Sequence, residues 1–224
     1  MLSFIQLRKA AVIPALLALL FSAPGHATNP PVNTGDTLIV GDSVFALSGD
    51  IQRYLEQDLN EEVDSHARSG CQMIGGNLIC SRRYAIPQQY ANASKAGINT
   101  VIFNGGGNDI QLNSCRPSLS ACMPLLNSLE AEIANLVARM KADGIENIIF
   151  LGYYNATGQA AELREINEYS MDYKAANYPA MGVTFIDVRD AFAGNEAQYI
   201  ASDGIHPTAA GSRVLADLIL QQLD

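Results

Sequence analysis

Positive charge is scarce in this sequence of 224 residues. Lysine and arginine number 14 against 23 aspartate and glutamate, which gives a formal net charge of −9. Nucleic-acid-binding proteins usually carry a basic stripe, so the balance argues against that class. Low-complexity tracts, internal repeats and heptad runs are also missing. Since 48% of the residues are hydrophobic and spread along the chain, we expect a folded chain of one domain.

No apolar run is long enough to span a bilayer, which takes about 20 residues. The run Ala10–Phe21 has 12 residues, follows two positive charges and precedes a small-residue segment ending at Ala27. This pattern is typical of a signal peptide, and an uncleaved anchor is the less favoured alternative. We therefore expect residues 1–27 to be removed and residues 28–224 to be exported, periplasmic or secreted, without a stable membrane anchor.

Cysteines are few, and no C-x-x-C pair occurs among them. An exported protein meets oxidising conditions, so an even number of cysteines permits disulfides. We favour pairing between sequence neighbours, Cys71 with Cys80 and Cys115 with Cys122, because each bond would staple one loop. The histidines have no ligand-like spacing to a cysteine, which argues against a metal site.

Short apolar, β-branched segments alternate with segments of helical periodicity. This alternation predicts an α/β fold with a mostly parallel sheet, in which sites form at the carboxyl ends of the strands. The runs 101–103 and 148–151 are apolar on both faces, as strands covered by helices on both sides require. The predicted strands are Thr37–Val40, Glu62–His66, Thr100–Phe103, Asn147–Leu151 and Val183–Val188, and the predicted helices are Phe45–Leu59, Tyr84–Ala96, Leu119–Ala142, Ala160–Ala176 and Thr208–Leu223.

The segment Gly41-Asp42-Ser43 follows the first predicted strand and precedes a helix. Gly41 suits a tight strand-to-helix turn. Ser43 would then lie near the start of the helix with an exposed hydroxyl, where it could act as a nucleophile. Serine is also a common helix cap, and this segment alone favours that interpretation.

A glycine-rich segment, residues 104–109, follows the third predicted strand. Glycines let the backbone approach a ligand closely, and Asn108 offers an amide donor. The alternative is a flexible loop that ends in a cap. A phosphate loop is disfavoured because the Gly-Lys-Ser/Thr signature is missing.

Asp203 and His206 share one short segment before the last predicted helix. The carboxylate can therefore reach the imidazole, fix its tautomer and stabilise the imidazolium. The alternative is a helix-initiating turn with an exposed histidine.

In this order the segments resemble the SGNH, or GDSL-like, hydrolase family. The first block is Ile39–Val44, in which Val44 replaces the leucine of the family name. Ala67–Gly70, Gly106–Asp109 and Asp203–Pro207 match the three later blocks. The resemblance implies a flavodoxin-like three-layer α/β/α sandwich with a mostly parallel five-stranded sheet.

The resemblance also implies a role for each site residue. Ser43 is the expected nucleophile, His206 the general base and Asp203 its orienting carboxylate. The oxyanion hole would comprise the backbone N–H groups of Ser43 and Gly70 and the side-chain amide of Asn108. The implied reaction is hydrolysis of carboxylic (acyl) esters through a covalent acyl-enzyme, and it needs no metal or cofactor.

We therefore expect an exported serine esterase that acts on a small-molecule, lipid or glycan ester. A carbohydrate O-acetyl esterase and a catalytically silent binding module on the same fold are the alternatives. Met73 and Ile74, in the insert between the first two cysteines, are candidates for the substrate pocket, as are Tyr153 and Tyr154 after the fourth strand. For each of these side chains, loop or core packing is the competing interpretation.

Overall fold

The computed structural model describes residues 33–116 and 118–223. The predicted signal peptide, residues 1–27, lies outside this part of the chain. The strands of the described residues are β1 (Asn33–Val40), β2 (Glu61–Ser65), β3 (Thr100–Phe103), β4 (Asn147–Leu151) and β5 (Thr184–Ile186). They form one sheet in the order β2-β1-β3-β4-β5, and every neighbouring pair is parallel.

Helices connect these strands and follow the last one. In the described residues, none of them is both long and apolar enough to cross a bilayer. Short 3₁₀ turns cover Arg82–Tyr84, Gly158–Leu163 and Pro179–Met181. The α-helices are α1 (Ser43–Ala46), α2 (Asp50–Leu59), α3 (Ile86–Asn92), α4 (Gly107–Gln111), α5 (Leu119–Ala142), α6 (Arg164–Asn177), α7 (Arg189–Phe192), α8 (Glu196–Tyr199) and α9 (Ala209–Leu220).

The sheet is covered by apolar side chains on both faces. Successive residues of a strand point to opposite faces, and in β3 Val101 and Phe103 join one core while Ile102 joins the other. The first core includes side chains of α3, α5 and α6, and the second includes those of α1, α2, α7 and α9. The predicted three-layer α/β/α sandwich is therefore confirmed.

Three predicted helices differ clearly from the observed ones, and the one predicted over residues 84–96 covers only Ile86–Asn92. The segment predicted as one helix over residues 45–59 is divided into α1 and α2, because Gly49 adopts a φ of 69°, in the left-handed region. The segment predicted to be helical from residue 160 begins with a 3₁₀ turn, and the α-helix starts at Arg164. The glycine-rich segment read as a loop contains the short helix α4.

The strand order places a crevice at the carboxyl ends of β1 and β3. From β1 the chain moves outward to β2 and then returns to the other side of β1 through β3. Ligands of open α/β sheets bind where the order reverses in this way. Ser43 follows β1, and the Gly105–Asn108 segment follows β3, so both come to this crevice.

Candidate active site

Ser43 is the first residue of α1, directly after the turn that ends β1. The helix is capped by Asp42, whose carboxylate accepts a hydrogen bond from the Val44 N–H at 3.0 Å. Gly41 has no room for a side chain, since a Cβ there would lie 2.1 Å from Oδ1 of Asn104. Asp42 is therefore the N-cap of α1, the role that the sequence analysis considered for Ser43. The Ser43 hydroxyl does not cap the helix.

The Asp42 carboxylate is buried beneath the turn. Its Oδ1 accepts a hydrogen bond from the side-chain amide of Asn104 at 3.0 Å, and its Oδ2 accepts one from the Tyr153 hydroxyl at 2.6 Å. Burial raises the pKa of Asp42, whereas the bonds from Tyr153, Val44 and Asn104 and the charge of His206 act in the opposite direction. The hydrogen bonds of this carboxylate therefore connect the segments that follow β1, β3 and β4.

Asp203 and His206 form a close pair in the segment before α9. The Nδ1 atom of His206 lies 2.6 Å from Oδ2 of Asp203. Oδ1 of Asp203 accepts hydrogen bonds from the backbone N–H groups of Ile205 and His206, at 2.9 and 3.0 Å. Partial burial works to raise the pKa of Asp203, but the bonds from His206 and Ile205 outweigh it and lower this pKa to about 2. Asp203 therefore stays ionised beside the imidazole.

The loop after β4 holds this segment in place. The Tyr154 hydroxyl donates to the Ile205 carbonyl at 2.6 Å, and the Thr157 N–H donates to the Gly204 carbonyl at 2.8 Å. Gly204 has a φ of 77°, and a Cβ at this position would lie 2.4 Å from the Thr157 carbonyl oxygen. The Tyr154 ring stacks on Phe192 with its centroid 4.1 Å away.

Segments from distant parts of the chain border one cavity of about 100 Å³ at this edge of the sheet. In the described part of the chain, no hydrogen bond joins the Ser43 hydroxyl to the His206 imidazole. Such bonds are often long in free enzymes and shorten when substrate binds. The residues that line this cavity include Ser43, Asn108, Tyr153, Tyr154 and Ile205, the neighbour of His206.

Two of the three expected oxyanion donors are backbone N–H groups without an acceptor among the described residues, and of these two residues Ser43 lines the cavity whereas Gly70 does not. Within residues 33–116 and 118–223, the backbone N–H groups of Ser43 and Gly70 donate to no acceptor. Gly70 has a φ of 75°, and its carbonyl accepts a hydrogen bond from Asn77 at 2.8 Å. The Asn108 amide donates to the Cys71 carbonyl at 2.9 Å, so this contact orients the side chain while its second N–H is left over.

A family model agrees with these blocks. The model of the GDSL-like lipase/acylhydrolase family matches residues 35–214. The chain belongs to this family. A search of curated protein sequences finds no significant match.

Solved structures with the fold of this GDSL-like hydrolase include three from different sources. A protein assigned as an SGNH hydrolase from Slackia heliotrinireducens is 21% identical, with a TM-score of 0.61 over 86% of this chain and 100% of that one. The acetylxylan esterase Axe2 from Geobacillus stearothermophilus is 19% identical, with a TM-score of 0.61 over 86% and 95%. The lipase Lip_vut3 from a goat rumen metagenome is 17% identical, with a TM-score of 0.59 over 83% and 95%. At these identities the similarity shows a shared fold.

Two of the four side chains considered for the substrate pocket lie elsewhere in the GDSL-like hydrolase. Met73 is 1% exposed and packs against Gly105 in the core, and Ile74 does not line the cavity beside Ser43. The reason is Asp109, whose carboxylate accepts hydrogen bonds from the backbone N–H groups of Met73 and Ile74 at 2.8 and 2.9 Å. Asp109 thereby fixes the insert against the segment after β3.

The four cysteines form the two pairs that the sequence analysis favoured, Cys71–Cys80 and Cys115–Cys122. The first disulfide closes the insert that begins directly after Gly70. The second lies at the start of α5. Among the described residues, no group of three or more His, Cys, Asp or Glu side chains has an arrangement that could hold a metal ion.

Gln89 and Asn104 position the Ser43 turn, and sequence reasoning missed both roles. Gln89 is buried in α3, accepts a hydrogen bond from the Gly41 N–H at 2.8 Å and donates one to the Gly41 carbonyl at 3.0 Å. Asn104 accepts a hydrogen bond from the Asp42 N–H at 3.0 Å. The only sequence signal for Gln89 is a polar residue on the buried face of a predicted helix.

Proposed function

We propose that this hydrolase is an exported serine esterase that cleaves carboxylic esters. Ser43 is the nucleophile, His206 the general base and Asp203 the carboxylate that orients the imidazole. One observation carries the proposal: Ser43 borders the same cavity as the segment that holds the Asp203–His206 pair. Because Asp203 occupies Nδ1 of His206, Nε2 is the ring nitrogen left to serve Ser43.

The reaction proceeds by two acyl transfers. His206 takes the proton from Ser43 as Oγ bonds to the ester carbonyl carbon, and returns it to the alcohol oxygen as the carbon–oxygen bond breaks. His206 then takes a proton from water, whose oxygen attacks the acyl-enzyme. The bond between the acyl carbon and Ser43 Oγ breaks, Oγ takes the proton from His206, and the carboxylic acid leaves.

The oxyanion of each tetrahedral intermediate would accept hydrogen bonds from Ser43, Gly70 and Asn108. The free backbone N–H groups of Ser43 and Gly70 support this assignment, as does the anchored amide of Asn108. In other hydrolases, one such donor contributes about 3–4 kcal/mol to catalysis.

Export from the cytoplasm is the remaining part of the proposal. Two disulfides suit an oxidising compartment. The segment 1–27 has the charge, apolar run and small residues of a signal peptide, although it lies outside the described residues.

A carbohydrate O-acetyl esterase is the second candidate, because one of the structural relatives is described as an acetylxylan esterase. The two candidates use the same chemistry and differ in the acyl group and the alcohol. Hydrolysis confined to acetyl esters, with acetate released from acetylated glycans, would favour this second candidate.

The test compares purified residues 28–224 with the variant Ser43→Ala on nitrophenyl esters. We expect the wild type to release nitrophenol and the variant to lose this activity while its circular dichroism spectrum is unchanged. Ser48→Ala, at an exposed serine just after α1, is the control and retains activity. Wild-type turnover by Ser43→Ala would overturn the mechanism, and an inactive wild type would favour a silent binding module.

A further inference from the structure

The cavity beside Ser43 extends inward between two long helices. One of its walls is a single face of α6, since residues 166, 167, 170, 171 and 174 recur at the spacing of one helix face. Asn167 lies at the Ser43 end, where its amide donates to the carbonyls of Tyr153 and Tyr154. Lys174 lies seven residues farther along α6, about 10 Å deeper at the helical rise.

Apolar side chains form most of the cavity walls between these two ends. Helix α5 contributes two apolar side chains and α4 one, opposite those of α6. Such walls offer an alkyl chain the burial that it lacks in water and offer a sugar ring few hydrogen-bonding partners. The apolar wall residues include Ile110, Leu129, Ile133, Leu163, Ile166 and Met171.

A buried ion pair closes the deep end. The Nζ atom of Lys174 lies 2.5 Å from Oε1 of Glu130 on α5, and it donates to the Ser170 hydroxyl at 2.8 Å. The Tyr178 hydroxyl donates to Oε2 of Glu130 at 2.9 Å. The Lys174 side chain is 4% exposed. Separating such a pair in a dry interior is costly, so an alkyl chain meets a barrier here.

We infer that this cavity holds the acyl chain of the substrate and that the Lys174–Glu130 pair limits the length of that chain. The inference rests on the proposed function and names its substrate class as esters of short, unbranched fatty acids. The volume of about 100 Å³ is smaller than the cavity of about 150 Å³ that accommodates benzene. A chain of about four carbons therefore fits, and an octanoyl chain does not.

The first experiment measures kcat/KM of the wild type for nitrophenyl acetate, butyrate, hexanoate and octanoate. Each buried methylene raises kcat/KM about fourfold, so butyrate exceeds acetate about fifteenfold. Octanoate falls below butyrate. A value that is highest for acetate overturns the inference while leaving the esterase proposal intact, whereas a wild type inactive on all four esters overturns both.

A matched pair of variants locates the acyl chain. Ala160 is buried and lines the cavity, whereas its neighbour Ala161 is exposed and does not line it. Ala160→Leu fills the cavity, so the butyrate-to-acetate ratio of kcat/KM falls at least fivefold, and Ala161→Leu leaves that ratio unchanged. Equal ratios in the two variants would place the chain elsewhere.

The double variant Lys174→Met/Glu130→Gln tests the deep end. It removes both charges together, which avoids an unpaired buried charge, and glutamine can still accept the hydrogen bond from Tyr178. We expect its octanoate-to-butyrate ratio to rise at least fivefold over the wild type. An unchanged ratio in a variant with native circular dichroism would overturn the role of the ion pair. If the variant does not fold, a wild-type kcat/KM for octanoate equal to or above that for butyrate is the result that overturns the length limit.

Discussion

Tyr153 and Asp42 are 111 residues apart in the chain, and the hydroxyl of the tyrosine lies 2.6 Å from the carboxylate of the aspartate. Asp42 caps the helix that begins with Ser43, and Tyr153 follows β4. Their contact therefore ties the Ser43 turn to a strand on the other side of β3. It also brings a donor to a carboxylate that is almost fully buried, where an unmet acceptor is costly.

The first prediction concerns this contact. Tyr153→Phe keeps the ring and leaves Oδ2 of Asp42 without its donor, so we expect it to destabilise the fold by about 1–3 kcal/mol. Urea unfolding measures the change. Tyr169→Phe, at a partly exposed tyrosine on α6, is the control and should change stability by less than about 0.5 kcal/mol. Equal stabilities of the two variants would show that the hydroxyl contributes nothing to Asp42.

Gln89 provides the second prediction, because its amide satisfies both the N–H and the carbonyl of Gly41. Gln89→Ala leaves the Gly41 N–H buried and unpaired, at a cost of about 1–3 kcal/mol, whereas the Gly41 carbonyl keeps its hydrogen bond from the Arg68 N–H at 3.0 Å. Since Gly41 is two residues from Ser43, we also expect kcat/KM to fall by about a hundredfold as the nucleophile shifts.

The neighbouring exposed glutamine supplies the control for Gln89. Gln88→Ala should alter neither the unfolding midpoint nor kcat/KM. If Gln89→Ala lost stability and yet kept full kcat/KM, Gln89 would be a purely structural residue, and the positioning of Ser43 would rest on Asn104 and Tyr153 alone.

Short sequence patterns were enough to predict the bounds of three elements of the fold. The bounds of β3, β4 and α5 agree with the predicted ones, because continuous apolar runs mark buried strands and a regular apolar face marks a long helix. The bonds of Gln89 and Asn104 to the Ser43 turn span 48 and 62 residues. No local pattern encodes such partners, since they depend on the strand order.

The direction of individual side chains was the second feature that the sequence could not predict. The hydrophobic insert suggested a pocket at Met73 and Ile74, but Asp109, 36 residues from Met73, turns this backbone so that Met73 enters the core. The apolar wall of α6 carried no special sequence signal, because its periodicity is that of any helix that packs on a sheet.

The third prediction concerns acid unfolding. The Asp203 pKa is lowered from 3.8 to about 2 in the folded protein. A lowered carboxyl pKa contributes stability that is present above the unfolded pKa, here about pH 4, and lost as the pH falls through about 2. We therefore expect the difference in urea midpoint between the wild type and Asp203→Asn to shrink between pH 4 and pH 2.

The comparison with Asp203→Asn removes the effect of the other carboxyl groups, which titrate in both proteins. The same substitution at an exposed residue of α7, Asp190→Asn, is the control. A wild-type advantage that stayed constant from pH 5 to pH 2 would contradict the lowered pKa of Asp203.

The last prediction separates the two disulfides. They close segments of similar length, with separations of 9 and 7 residues, so the chain-entropy model predicts that Cys71→Ala/Cys80→Ala and Cys115→Ala/Cys122→Ala each lose about 2–3 kcal/mol. Their effects on catalysis should differ, because the first disulfide holds the segment that carries Gly70 and the carbonyl that orients Asn108. We expect kcat/KM to fall on the order of tenfold only in the first double variant, since misplaced oxyanion donors weaken transition-state binding. Assays well below the melting temperature of both variants separate this loss from unfolding, and equal kcat/KM values would mean that Asp109 and Asn77 suffice to hold the insert.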